Sequence, residues 1–336
     1  LGDVYKRQPY RPFSDDTNLL NQNTFGYVTT KESDARNAMI SAPATYSIDQ
    51  ACDELFIARD EIEGMIERLR KKKNIILKGP PGVGKTFIAK RLAFALLHEQ
   101  DSERVQMVQF HQSYSYEDFF QGYRPVGEGG FQRKDGVFLR FCRKAHTDTS
   151  RDYVFIIDEI NRGNLSRIFG EGMMLIEHDK RGREWAVPLT YSEEDEEPFY
   201  VPSNIHLIGL MNTADRSIAM VDYALRRRFS FIEIRPAFKS EAFSKYLRAR
   251  GAEDVVVNMI VDRMTEVNRR IGEDLDLGEG YCIGHSYFCP SVLEDILDAA
   301  WYRKIIDTEV VPLLQEYWFD RKKSCTEVIE VLLKGI

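Results

Sequence analysis

No apolar run in this 336-residue chain is long enough to cross a bilayer, since the longest, residues 153–157 and 205–211, fall far short of the roughly 20 residues a spanning helix requires. A soluble protein with no membrane partner is expected. Disulfide staples are also lacking. The five cysteines are odd in number and widely spaced, and no secretory apolar segment opens the chain, which points to a reducing, cytoplasmic setting. Cys282, His285 and Cys289 lie close together, but no second cysteine pair completes a tetrahedral zinc site. A basic excess is missing as well: 46 basic against 53 acidic residues give a net charge of -7, the wrong sign for a surface that grips nucleic acid throughout. Residues 1–47 mix Asn, Ser, Asp, Thr and Pro without periodicity and begin at Leu1, so they read as an unpatterned linker or fragment with more chain expected upstream.

Pattern begins at residue 48. Ile48, Leu55, Ile62, Ile66 and Leu69 stand at helical spacing before the basic run of residues 70–73, so one helix is expected over 48–70. A buried-strand pattern at 74–78 then leads into Gly79-Pro80-Pro81-Gly82-Val83-Gly84-Lys85-Thr86 and an amphipathic helix carrying Ile88, Leu92, Ala95 and Leu96. This is the order a phosphate-binding loop requires. Its glycines let backbone amides curl around phosphate oxygens while the helix N-terminus adds its positive end. Lys85 is expected to reach the β- and γ-phosphates, and Thr86 to ligate Mg²⁺.

Some seventy residues later, the apolar run 153–157 ends in Asp158-Glu159, the form of a Walker B strand. Asp158 is expected in the Mg²⁺ shell, and Glu159 as the base that polarises the attacking water. A third buried strand, 204–210, ends in Met211-Asn212-Thr213-Ala214-Asp215-Arg216-Ser217. The Asn212 amide is placed there either to orient water or sense the γ-phosphate, or simply to cap the strand with an Asx turn. Arg226, Arg227 and Arg228 follow. Alone they read as a basic patch; at a subunit edge, Arg227 or preferably Arg228, which abuts a strand at 229–232, suits an arginine finger.

Together these features resemble AAA+ ATPases, and longer strings narrow the resemblance to the McrB family, the motor subunits of modification-dependent (5-methylcytosine-specific) restriction systems. Those strings are residues 107–118, Gly122-Tyr123-Arg124-Pro125, Ile157 to Arg162, Met211 to Ser217 and Ile283-Gly284-His285-Ser286-Tyr287-Phe288. The likeness runs from about residue 75 to the C-terminal region and fails at the front, where the family carries a DNA-recognition domain. It implies an α/β AAA+ P-loop NTPase: a parallel β-sheet core flanked by helices over 48–236, β-hairpin insertions, and a smaller all-α lid over 237–336. It further implies GTP rather than ATP as substrate, Mg²⁺ as cofactor, a homo-hexameric ring and a McrC-type nuclease subunit as partner. DNA contact then falls to an upstream domain or to the partner. The sequence has no Asn-Lys-x-Asp guanine motif, and its only acidic-x-Lys triplet, Asp320-Arg321-Lys322, lies in a helix-like stretch unsuited to a nuclease site.

Residues 122–138 and 185–201 read as β-hairpins, the second with an acidic tip at 193–197; pore-facing or partner-facing insertions and plain solvated tips weigh equally. Helices are expected at 243–250, 255–271, 291–300, 302–319 and 326–333. His285 and Ser286 stand either near the nucleotide or, for the histidine, as a buried structural residue. A MoxR-like ATP-driven chaperone is the alternative within the NTPase class, opposed by the 211–217 string. A non-catalytic nucleotide-binding scaffold is the alternative from another class, opposed by intact Lys85, Thr86, Asp158 and Glu159.

Overall fold

The computed structural model describes residues 43–215, 223–290 and 296–335. The unpatterned segment expected over 1–47 therefore lies outside the described residues except for its last five. Among the described residues seven strands occur in chain order: β1 Asn74–Gly79, β2 Val105–Gln109, β3 Gln121–Val126, β4 Gly130–Asp135, β5 Tyr153–Asp158, β6 Ile205–Asn212 and β7 Ser230–Glu233. Five form one parallel sheet in the order β2-β5-β6-β1-β7, while β3 and β4 pair as a separate antiparallel hairpin. The central strands β1, β5 and β6 are buried on both faces, which is why they read as continuous apolar runs rather than alternating ones.

Period-two alternation divides each central strand between two cores. Ile75, Leu77, Val154, Ile156, Ile208 and Leu210 face helices Ile48–Glu54, Arg59–Lys72 and Lys85–Leu97. Ile76, Phe155, Ile157 and Leu207 face an aromatic core built on Phe110, Phe119, Phe120, Phe138 and Phe169, where Phe119 and Phe138 stack at 4.7 Å. A third core runs through the C-terminal helices Glu241–Ala249, Asp254–Glu273, Ala299–Ile305, Val311–Tyr317 and Lys322–Leu333. Among the described residues no helix is long and apolar enough to cross a membrane.

Two local expectations require correction, a third falls partly outside the described residues, and one strand was not expected. The single helix over 48–70 is two helices, broken at residues 55–58, and the break sends Phe56 toward the lid, where it meets Phe243, Tyr246 and His285 edge-on. Phe56 is half-buried among these rings. The hairpin over 185–201 reduces to one antiparallel bridge between Val187 and Phe199, because the acidic tip is tied sideways: Arg133 of β4 forms a two-pronged ion pair with Glu196 and donates to the Tyr191 carbonyl. Residues 291–295 of the helix expected over 291–300 lie outside the described residues, and the helix observed starts at Ala299, capped by Asp298. It passes through a π turn, Ile306–Val310, into Val311–Tyr317, accommodating Pro312, which has no amide to donate. The edge strand β2 escaped sequence reading because Val105-Gln106-Met107-Val108-Gln109 is short and mostly exposed.

Two histidines are buried neutral. Burial and the neighbouring Lys73 ammonium, which donates to His206 Nε2 at 3.2 Å, push His206 down to about 3, and burial pushes His285 down to about 4. His206 Nδ1 therefore faces Asp152 at 3.7 Å without forming an ion pair at neutral pH. A histidine near 6.5 when unfolded and lower when folded contributes stability above pH 6.5 that is lost as pH falls toward the folded value. Stability should thus drop between pH 6.5 and 5, above most carboxylate titration, by up to about 1.4 kcal/mol per pH unit from each histidine. Urea melts across that range test this: the double variant His206→Gln, His285→Gln should lose most of the slope, and an unchanged slope would place its source elsewhere.

Candidate nucleotide-binding site

The site stands on one edge of the sheet because the central strands run parallel, so their carboxyl ends emerge together. Gly79, the last residue of β1, lies opposite Asn212, the last of β6, and β6 separates β1 from β5 with its terminal Asp158. The 79–86 loop then turns into helix Lys85–Leu97. Gly82 and Gly84 both have φ of 75°, a left-handed conformation that glycine adopts without cost and that lets consecutive amides point into one concavity.

Lys85 folds back along the loop and donates to the carbonyls of Gly79 and Pro80, both at 2.9 Å. Burial draws its ammonium below the usual lysine value, opposed by the carboxylates of Glu159, Asp158 and Asp215. Thr86 Oγ1 donates to Asp158 Oδ2 at 3.5 Å, so the hydroxyl and the carboxylate expected to share a cation face each other. This oxygen-only pair suits a hard cation such as Mg²⁺.

Glu159 takes φ of 51°, uncommon for a residue with a side chain, and its amide donates to Asp158 Oδ1 at 3.0 Å. Its carboxylate accepts from Arg162 Nε at 3.1 Å, while Arg162 Nη2 donates to Asp215 at 2.8 Å. One guanidinium therefore ties Glu159 to the turn after Asn212. In the sequence Arg162 and Asp215 carry no mark of their pairing, since 53 residues separate them and nothing local signals it. Asn212 Oδ1 accepts from Ala214 N at 3.3 Å, which is the Asx turn, yet the strand end also sits between the phosphate loop and Asp158.

The arginine run divides. Arg228, preferred as a finger from sequence, donates from Nε to the Met173 carbonyl at 2.6 Å and pairs with Glu177 at 2.8 Å. Its own carbonyl accepts from Asn74 Nδ2, whose Oδ1 accepts from the buried Arg181. Its guanidinium is thus engaged within its own chain, whereas Arg226 and Arg227 are exposed. His285 is buried, accepts from the Ala237 amide at 3.0 Å, and lines a cavity of about 480 Å³ that reaches Val83 and Gly84 between residues 54–57 and the lid. The buried, hydrogen-bonded histidine is the structural one of the two readings.

The family model for the AAA domain (dynein-related subfamily) matches residues 74–229, and the model for the McrB alpha-helical lid domain matches residues 259–326. The chain therefore carries an AAA domain over residues 74–229 and a segment similar to the McrB lid over residues 259–326. It is 57% identical over 284 residues to the type IV methyl-directed restriction enzyme EcoKMcrB subunit of Escherichia coli K12, covering 84% of this chain and 61% of that protein. It is also 24% identical over 266 residues to the type II restriction enzyme BsuMI component YdiS of Bacillus subtilis 168, covering 67% of this chain and 76% of that protein. The chain thus spans about three-fifths of the length of the E. coli relative. The AAA match encloses Gly79 to Thr86, Asp158, Glu159, Asn212 and the arginine run, and the lid match encloses His285 and Ser286.

The division of the arginines has a stability consequence. Arg228→Ala removes one of the two cations on Glu177, which keeps Lys180, and takes the guanidinium from the Met173 carbonyl, so it should cost about 1 to 2 kcal/mol, while Arg227→Ala should stay within about 0.5 kcal/mol of the parent. Urea denaturation of the two variants reads the difference. Equal stabilities would show that the Arg228 contacts carry no weight.

Proposed function

We propose that this module hydrolyses a nucleoside triphosphate, with GTP the expected substrate and ATP the alternative, and that it works as a ring motor driving a McrC-type nuclease in restriction of modified DNA. The observation that carries the reading is the convergence of Lys85, the Thr86–Asp158 pair, Glu159 and Asn212 at one strand edge. The likeness to the E. coli restriction subunit supports the setting, and the GTP preference, the hexamer and the nuclease partner follow from that resemblance. Any DNA recognition belongs to an upstream domain or to the partner. A cytoplasmic location suits five thiols with no disulfide among them. The division into 48–236 and 237–336 is supported by Ile234 packing into the sheet core and Phe238 into the lid core.

In this reading the loop from Gly79 through Pro80, Pro81, Gly82, Val83 and Gly84 cradles the phosphates, and Lys85 neutralises the β- and γ-oxygens. Thr86 and Asp158 would hold Mg²⁺, which when bound offsets the negative charge on the phosphate oxygens. Glu159, turned from Arg162, accepts the proton of a water that Asn212 orients toward the γ-phosphorus. The arginine finger comes from a neighbouring subunit, with Arg227 now the stronger candidate, because Arg228 anchors the end of the helix that carries it.

Hydrolysis of GTP and ATP measured side by side, with and without a co-encoded nuclease subunit, tests substrate and partner together. GTP turnover stimulated by the subunit is expected; turnover of ATP alone favours the chaperone reading, and no turnover of either favours the scaffold. Glu159→Gln should keep nucleotide binding and assembly while hydrolysis falls by about two orders of magnitude or more. Wild-type turnover in that variant removes Glu159 from the mechanism. Mixing Arg227→Ala with Lys85→Ala, each inactive alone, should regain activity because some interfaces then combine an intact loop with an intact finger. Co-assembly without any recovered activity would place the arginine's action within its own subunit.

A further inference from the structure

The lid string Ile283-Gly284-His285-Ser286-Tyr287 has no role in the chemistry above, yet its backbone bonds directly to the 79–86 loop. The Gly284 amide donates to the Pro81 carbonyl at 3.0 Å, and the Ser286 amide donates to the Gly82 carbonyl at 2.8 Å. A trans peptide points its C=O and N–H in opposite directions. Fixing the Pro81 carbonyl toward the lid therefore aims the Gly82 amide away from it, and fixing the Gly82 carbonyl does the same for the Val83 amide. Those two amides belong to the concavity that would receive phosphate.

The strap is itself held firmly. Asn268, on helix Asp254–Glu273, accepts from the Ile283 amide at 2.7 Å and donates to the Ile283 carbonyl at 2.9 Å, so both backbone groups just before Gly284 are pinned. At the other flank of the site, the Gly280 carbonyl accepts from Thr213 Oγ1 at 2.9 Å, directly after Asn212. Contact between strap and loop leaves no room for a side chain. A Cβ on Gly284 would lie 1.9 Å from the Gly82 carbonyl carbon and 2.3 Å from Val83 N, backbone atoms that cannot rotate away, although the φ of -76° at Gly284 suits any residue. Tyr287 closes the same face, its ring 2.5 Å from where a Cβ on Gly82 would stand.

We propose that Gly284, pinned by Asn268, is a positioning residue: the lid strap captures the outward carbonyls of Pro81 and Gly82 and thereby aims the Gly82 and Val83 amides at the phosphates, so that lid placement and phosphate affinity are one equilibrium. The inference rests on the nucleotide-binding reading of the loop. By reciprocity, phosphate bound in the loop must stabilise the strap as much as the strap stabilises phosphate binding.

The test uses the full chain with Mg²⁺ and two probes, GTP and inorganic pyrophosphate, titrated calorimetrically into the parent, Gly284→Ala, Asn268→Ala and Lys85→Ala. Gly284→Ala should bind both probes about tenfold or more weakly, the size of one lost hydrogen bond to a charged group, and Asn268→Ala should shift both in the same direction. Pyrophosphate has no base, so a loss confined to GTP would assign the strap to the nucleoside cavity and overturn the proposal. So would parental affinity in both variants. If Gly284→Ala does not fold, hydrogen exchange in the parent carries the test: the Gly284 and Ser286 amides should slow when pyrophosphate binds, and unchanged exchange contradicts the coupling. Failure of the parent to bind either probe, with Lys85→Ala indistinguishable from it, would instead sink the nucleotide-binding reading itself.

Discussion

Parallel pairing of β6 with β1 in a register that sets Asn212 opposite Gly79 is the constraint on which the site depends. A strand shifted by one residue would exchange the side chains packed in the two cores, so close packing on both faces holds the register. With it fixed, the 79–86 loop, Asp158 and Asn212 must emerge at the same edge, and the chain between them is free to vary. That freedom is used for the hairpin β3–β4 and for the loop at 185–201, which brace each other through Arg133 and Glu196 well away from the strand ends.

Much of this was legible in the sequence, and the reason is physical. Strands β1, β5 and β6 announce themselves as apolar runs because both faces are buried, and the loop glycines are needed wherever the backbone turns left-handed, as at Gly82 and Gly84. What remained hidden was tertiary. Nothing in the periodicity of residues 48–70 reveals that Phe56 has partners on lid helix Glu241–Ala249, so the helix break could not be read. The preference for Arg228 over Arg227 as a finger rested on its neighbouring strand alone, because the residues that occupy Arg228 lie some fifty positions earlier. The lid strap was visible only as a string, since its significance depends on carbonyls of Pro81 and Gly82 about two hundred residues upstream.

Glu159 shares Arg162 with Asp215, and two residues before Asp215 stands Thr213, which donates to the Gly280 carbonyl of the lid. Arg162 is the member of this set whose charge both restrains and orients the proposed base, and its guanidinium is stabilised in the charged form chiefly by Glu159.

The central claim is that the 79–86 loop binds the phosphates of a nucleoside triphosphate through Lys85. Equilibrium titration of the chain with a fluorescent, non-hydrolysable GTP analogue in the presence of Mg²⁺ tests it most directly. Saturable binding that unlabelled GTP displaces, and that Lys85→Ala abolishes while melting like the parent, is the predicted result. Binding that survives unchanged in Lys85→Ala, or no binding of a GTP or an ATP analogue by the folded parent, would contradict the account.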